Sequence, residues 1–491
     1  YPPPLVDLTR IPGLGPKTVL ALRDELGVES VTDLRRALAE GKVRHVRGLG
    51  VKSEQKMARS IDRLGLHGKD RRTPIGIAVA IADELVADMA RVPGVTAVEP
   101  CGSLRRFNET VGDVDIVVAA RDATAVIDAF FHHPLAAEVV AGGESKAAIL
   151  IRGGLQVDLR VVAPHQFGAA VVYFTGSKGH NIQLRQRAAD RGLLLNEYAL
   201  ADVNGGVVLE NGDEDDIYRA LGLAWIPPPL REGRDEVELA SRGDLPDVVG
   251  AHDLRGDLHF HTDWSGDGRA SMETMLAAAS DAGWEYVAVT DHGENLAING
   301  LSRHRMLAQR DRLRTFGKIH TGMALLHGCE LNVGPDGSVD YDQGFLSGFD
   351  WCVASIHSHF DLPADVQTAR LAAAMRHPSV RAVGHLSGRK LGRRPGIEFD
   401  VDMILDTAED TRCVIEINGS IDRLDATREV MRRARHRDVL FTIATDAHHP
   451  SDLVRHRYGV LYAQGGWVEA ERVVNTWPQE RFLDWLRYGS A

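Results

Sequence analysis

Asp113 and Asp115 stand two positions apart in the run Gly112-Asp113-Val114-Asp115-Ile116-Val117-Val118. On a strand, side chains at i and i+2 share a face. Two carboxylates on one face repel each other unless a cation lies between them. Mg²⁺ takes hard oxygen ligands and substrate phosphates, so the pair suits it. A third acid, Asp158, sits in Gln156-Val157-Asp158-Leu159-Arg160, an alternating run that can lie beside the first. Three carboxylates on neighbouring strands can hold two divalent cations, one for an attacking hydroxyl and one for a triphosphate. Upstream, Gly102-Ser103-Leu104-Arg105-Arg106 offers a glycine turn and Arg106 to cradle phosphates. A lone Asp-x-Asp is more often a solvated strand edge, so it is the order of the three motifs that points to nucleotidyl transfer.

The second half repeats a different pattern. Ligand-type residues close successive apolar runs: His259 and His261, His292, Glu330, His357, His385, then Asp446 and His448. A single histidine is more often a packing residue than a ligand. Ligand-type residues at the ends of six of seven runs make a metal pattern. Imidazole and carboxylate donors suit Zn²⁺, Mn²⁺ or Fe²⁺.

A third feature opens the chain. Ile11-Pro12-Gly13-Leu14-Gly15-Pro16-Lys17 and Val46-Arg47-Gly48-Leu49-Gly50-Val51-Lys52 are two Gly-x-Gly turns, each leading into a helix and a lysine. Such turns let backbone amides approach a phosphate. A packing corner is the alternative for one copy; two basic copies favour DNA backbone contact by Gly13, Gly15, Lys17, Gly48, Gly50 and Lys52.

These residues need elements to hold them. Residues 1–72 read as short helices between Gly turns, and 73–165 as alternating helix and strand with strands at 113–119, 147–152 and 155–162. Residues 166–229 read as mixed, and the Pro227-Pro228-Pro229 run with its charged continuation as a linker over 230–250. From 251 to 491 the seven apolar runs alternate with helical segments, which predicts a parallel sheet closed into an α/β barrel with its chemistry at the strand C-termini.

Composition sets the bounds. Apolar residues make up 44 %, enough for real cores, and no run is long enough to span a bilayer. The four cysteines form no CxxC pair, which argues for a reducing compartment. Net charge is −12 overall, yet residues 1–72 carry roughly +6, a basic head on an acidic body. The chain opens at Tyr1 without methionine, so a native start further upstream is expected.

Tyr173-Phe174-Thr175-Gly176-Ser177, then Asn181 and Arg185, narrows the class. Together with GSLRR, GDVDI and VDL in this order, residues 1–225 resemble DNA polymerase beta and its family X relatives. The resemblance implies helix-hairpin-helix fingers, a nucleotidyltransferase palm and a small thumb. Asp113, Asp115 and Asp158 would be catalytic and bind Mg²⁺ or Mn²⁺. Gly102, Ser103, Arg106, Gly112 and Gly176 would serve the nucleotide, Tyr173 and Phe174 the sugar, Asn181 the base edge, and Arg185 the template. Carbonyls of Thr9, Ile11 and Leu14 would hold Na⁺ or K⁺. Gln156 replaces the arginine of vertebrate relatives. The family's lyase domain has no counterpart in these residues, so no lyase activity is expected.

Residues 251–491 resemble the PHP (polymerase and histidinol phosphatase) domain. The resemblance maps its ligands to His259, His261, Asp267, His292, Glu330, His357, His385, Asp446 and His448. These would hold up to three Mn²⁺, Zn²⁺ or Fe²⁺ ions, with Glu330 bridging two. Ser265-Gly266-Asp267 has one Gly more than the usual pattern, which puts Asp267 in question. Eight other histidines (304, 320, 327, 359, 377, 436, 449 and 456) are expected outside the site, and Arg423 is either a phosphate contact or a surface ion pair.

The two halves together resemble bacterial family X polymerases. That layout implies gap-filling repair synthesis from dNTPs and 3′→5′ nucleotide removal, with abasic-site cleavage or 3′-phosphate removal as further reactions. A cytoplasmic, nucleoid-associated monomer acting on gapped or primer-template DNA is expected. Two rivals are a phosphatase of small phosphate esters with an inactive polymerase half, and a non-catalytic DNA-binding scaffold.

Overall fold

The computed structural model describes residues 8, 14, 16–64, 72–202, 208–209, 213–319 and 322–488. Thr9, Ile11, Gly13 and Gly15 lie outside them. Helices α1 (Pro16–Leu26), α2 (Val31–Ala39) and α3 (Val51–Leu64) form the N-terminal unit. Leu14, Val19, Leu22, Leu34, Val46 and Met57 make its small core. Ser30 caps α2 by accepting from the Asp33 amide. Gly48 takes φ +85° before α3, where a side chain would be strained. Lys17 and Lys52 are exposed beside the two turns.

The next unit is a five-stranded sheet: β2 (Val95–Pro100), β4 (Asp113–Ala120), β5 (Ala136–Gly142), β6 (Lys146–Ile151) and β7 (Gln156–Val162), in the order β2-β4-β7-β6-β5. A two-residue ladder of β1 (Thr73–Pro74) and β3 (Thr110–Val111) stands apart. Strands β4 and β7 run parallel, the other pairs antiparallel. The period of two on β4 decides the rest. Val114, Ile116 and Val118 enter the core with α4 (Ile75–Met89) and α6 (Ala123–Phe131), which leaves Asp113 and Asp115 on the opposite face. The short α5 (Gly102–Arg105) sits at the head of that face.

Helices α7 (Phe167–Thr175) and α8 (Lys178–Ala189), a small sheet β8-β9-β10 (Leu193–Leu195, Leu200–Asp202, Val208–Leu209) and α9 (Glu214–Ala220) follow. The segment 230–250, read as a linker, is packed. The prolines set a 3-10 turn, and α10 (Glu236–Arg242) puts Val237 and Ala240 into one core with Ala169, Leu184 and Ile217. Arg231 is fully buried and donates to Glu214 at 2.7 Å. Its charge is paired rather than solvated, which pattern alone does not reveal.

Seven parallel strands then run in sequence order: β11 (Gly256–Phe260), β12 (Tyr286–Val289), β13 (Ala324–Asn332), β14 (Trp351–Ser355), β15 (Val380–Val383), β16 (Val414–Asn418) and β17 (Phe441–Ala444). Phe260 bridges Ala447 in parallel, with Ala447 O accepting from the His261 amide at 2.8 Å, so the sheet is closed into a barrel. Strands covered on both faces read as unbroken apolar runs, which is why all seven were legible. Helices α11 (Met272–Asp281), α12 (Arg303–Ile319), α13 (Ala364–Met375), α14 (Val401–Thr411), α15 (Arg428–Arg433) and α16 (His456–Gly465) lie outside the strands. Helix α17 (Gln479–Tyr488) packs Phe482 and Leu486 against Tyr286 and Trp351. Among the described residues no helix is long and apolar enough to cross a membrane.

Candidate active sites

Parallel pairing of β4 with β7 sets Asp113 opposite Gln156 and Asp115 opposite Asp158. The three carboxylates therefore share one patch. Burial pushes Asp115 up to about 7, with Asp113 and Asp158 adding repulsion. Asp158 is also raised, by burial first, although Gln156 Nε2 donates to both its oxygens at 3.0 and 2.9 Å. Mutual destabilisation of this kind is relieved by a divalent cation, so the donor set fits Mg²⁺ or Mn²⁺.

Gly102 has φ +64°, and a Cβ there would stand 2.3 Å from Asp115 Oδ2. Only glycine lets the turn lie this close to the carboxylates. Nothing lies within 4 Å of a Cβ on Gly112, so that glycine leaves room for an outside group. Arg106 donates to Glu232 Oε1 at 2.9 Å and to Thr175 O at 2.5 Å. It is thus tied to α7 and to the segment after the prolines. Gly176 has φ +65°, with Arg106 Nη1 3.2 Å from its hypothetical Cβ. Tyr173 and Phe174 meet edge to face, and the Arg160 guanidinium lies 5.0 Å from the Phe174 ring centre. Asn181 Nδ2 donates to Tyr173 O at 2.7 Å, and Arg185 Nε to Asn181 O at 3.3 Å. A cavity of about 410 Å³ is lined by Asp115, Asp158, Lys146, Arg160 and Phe174.

The second constellation lies at the C-terminal ends of the barrel strands. Glu330 is at its centre. Its carboxylate is 2.8 Å from His385 Nε2, 2.9 Å from His292 Nδ1, 3.2 Å from His357 Nε2, 3.5 Å from His261 Nε2 and 3.6 Å from His259 Nε2. Asp446 Oδ1 is 3.4 Å from His261 Nε2. Asp267 joins despite the extra glycine, with Oδ2 3.0 Å from His292 and 3.5 Å from His448. The donor atoms fall into three groups: His261, Asp267, His292 and His448; His259, His261 and Asp446; His292, Glu330 and His357.

The electrostatics of this cluster call for cations. Burial opposes the Glu330 carboxylate, yet His357, His292 and His259 hold it well below its ordinary range. His261 is pushed down to about 3 by burial and by His448 and His292. Buried atoms without a hydrogen-bond partner remain: His261 Nδ1, Asp267 Oδ1 and His385 Nδ1. Orphaned buried donors and acceptors are costly, and nitrogen–oxygen metal ligation relieves them. The residues therefore fit Zn²⁺, Mn²⁺ or Fe²⁺. His385 and Asp446 sit at φ +27° and +51°, strain that only a closely determined site sustains.

Partners absent from the sequence expectations support these ligands. Glu416, fully buried on β16, faces His259 Nδ1 at 2.5 Å and accepts from the His385 amide at 2.9 Å. Asn418 donates to Glu416 at 2.8 Å, and Asn332 Oδ1 faces His357 Nδ1 at 2.8 Å. The signal was a Glu and an Asn two apart in an otherwise apolar strand. Arg423 is no surface pair. It lies in the mouth, its Nε 3.4 Å from Asp446 Oδ2 and its buried Nη1 unpartnered. The mouth, about 280 Å³, is also lined by Lys390 and Arg455. His304, His327, His359, His377, His436, His449 and His456 stay outside the three groups, and His320 is outside the described residues.

A carboxylate-bearing palm joined to a metal-ligand barrel defines a nucleotidyltransferase combined with a phosphoesterase. Comparison with known proteins agrees. Residues 5–63 match the SAM-like helix-hairpin-helix tandem, 170–232 the DNA polymerase beta thumb, and 257–420 the PHP domain. The chain is 36 % identical over 478 residues to the "DNA polymerase/3'-5' exonuclease PolX" of Bacillus subtilis, covering 96 % of this chain and 83 % of that protein. It is also 26 % identical over 244 residues to a "Probable phosphatase" of Caldicellulosiruptor saccharolyticus, 48 % of this chain and 96 % of the relative. A "Probable phosphatase" of Aliivibrio fischeri is 28 % identical over 242 residues, 48 % of this chain and 93 % of that one. The chain belongs to the family X DNA polymerases that carry a PHP domain, and it is a metal-dependent enzyme.

Proposed function

We propose that this enzyme fills short gaps in DNA and trims 3′ ends, with synthesis at Asp113, Asp115 and Asp158 and degradation at the nine barrel ligands. The observation that carries the first half is the in-register pairing of Asp115 with Asp158 beneath the Gly102 turn. The five histidines around Glu330 carry the second.

Mg²⁺ or Mn²⁺ at the palm, and up to three Mn²⁺, Zn²⁺ or Fe²⁺ ions in the barrel, would supply charge neutralisation and activation of the attacking oxygen. The chain's own groups do the rest. Gly102 and Ser103 bring backbone close to the triphosphate, and Arg106 exchanges Glu232 for phosphate oxygens. Tyr173 and Phe174 face the sugar, Asn181 the base edge, and Arg185 the template. Lys17 and Lys52 with their turns grip DNA backbone, and carbonyls of Thr9, Ile11 and Leu14 take a monovalent cation. In the barrel mouth, Arg423, Lys390 and Arg455 hold the phosphate against the cluster. Likeness to half-length probable phosphatases supports 3′-phosphate removal as a further reaction. Gapped DNA and dNTPs are the substrates, and the enzyme works as a monomer in the bacterial cytoplasm beside the nucleoid.

The test is extension and degradation of a primer in one-nucleotide-gapped DNA with Mn²⁺. Asp113→Ala with Asp115→Ala should abolish extension alone, and His259→Ala with His261→Ala degradation alone. A chain that neither extends nor degrades DNA but hydrolyses small phosphate esters would overturn the reading.

A further inference from the structure

Past α5, the palm backbone turns through Phe107, a buried residue at φ +56°. A non-glycine residue in that region is strained and persists only when its surroundings fix it. Here the surroundings belong to the barrel. Arg428, at the start of α15, donates from Nη2 to Arg106 O at 2.9 Å and Phe107 O at 3.0 Å, and from Nη1 to Asn108 Oδ1 at 2.9 Å. Phe107 stacks on Tyr458, ring centres 5.8 Å apart. Glu109 accepts from Arg389 at 3.0 Å and from the Tyr462 hydroxyl. Arg389 in turn donates to Arg423 O at 2.9 Å, at the barrel mouth. Room for Arg428 depends on Gly465, where a Cβ would fall 2.1 Å from the guanidinium carbon. The guanidinium thus neutralises the carbonyl end of the short helix whose other end is Gly102.

We propose that Arg428 is a positioning residue for nucleotide binding: from the barrel, it fixes the Gly102–Arg106 turn against the palm carboxylates. The inference rests on the polymerase reading above. It makes the PHP barrel a structural part of the polymerase site. Arg428 touches no substrate; it acts through the carbonyls of Arg106 and Phe107.

The experiment is Arg428→Met in the full chain, a change that keeps apolar bulk and removes every side-chain donor. Single-nucleotide gap filling should show the KM for dNTP raised about tenfold, kcat within about threefold, and the KM for DNA unchanged. Degradation of a 3′ end reports whether the barrel remains folded. If Arg428→Met does not fold, Glu109→Gln, which weakens the Arg389 pairing, should raise the dNTP KM about threefold. An unchanged dNTP KM in a chain that extends primers overturns this inference alone. A uniform fall of extension and degradation together also overturns it, because it marks a stability effect. A wild-type chain unable to extend overturns the polymerase reading, and this inference with it.

Discussion

Gly102→Ala is the sharpest probe of the palm. The new Cβ would lie 2.3 Å from Asp115 Oδ2, where real Cβ contacts essentially never fall under 3.0 Å, so something must yield by about 0.7 Å. Left-handed backbone costs alanine a further ~1–2 kcal/mol. The strand cannot retreat: Asp115 is paired to Asp158, and its carbonyl accepts from the Cys101 amide at 2.7 Å. The displacement therefore falls on the carboxylate or on the turn that faces the triphosphate. Misplacement approaching 1 Å in a reacting constellation costs on the order of 10²-fold. The assay is single-turnover insertion of one nucleotide into gapped DNA. Insertion should drop about 100-fold, while 3′ degradation in the barrel stays within about twofold. A folded variant that inserts within about threefold of the wild type would refute the packing of the turn on a working carboxylate.

Glu416→Gln should raise the Mn²⁺ concentration needed for half-maximal degradation about 10- to 100-fold, because His259 loses the carboxylate that orients it; extension should be unaffected, and a metal titration followed by degradation checks both. Glu214 gives a pH signature. Burial opposes its charge, but Arg231 and Arg105 lower it from 4.5 to about 2. A depressed carboxyl stabilises the fold above its unfolded value and loses that contribution as pH falls through the folded one. Roughly 3 kcal/mol should thus disappear between about pH 4.5 and 2, a slope that Glu214→Gln removes. Denaturation midpoints of both proteins at pH 5 and pH 3 decide it, and parallel curves would sink the idea.

The seven barrel strands and the palm strands β4, β6 and β7 were legible because period and apolar runs report burial directly. The carboxylates and histidines singled out in the sequence stand together in the folded chain, since their residue types recur at fixed places on those strands. Asp267 was named with its place in question: an inserted glycine shifts the register on paper, and the folded loop sets its carboxylate 3.0 Å from His292. Glu416 was overlooked because an acid and an amide two apart in an apolar strand mark a buried polar site without saying what it contacts. How the segment 230–250 sits was left open, because prolines and charges look the same in a spacer as in a packed turn whose arginine meets Glu214.

Sequence by itself therefore determined which side chains could hold metals and which face of each strand they occupy. The period of side chains along a strand is local and survives without neighbours. Tertiary structure alone decided that Asp115 lies opposite Asp158, that Glu330 collects five histidines, and that Arg428 reaches across to Phe107. Those contacts join residues up to several hundred positions apart, and strand register and domain packing, not spacing, bring them together.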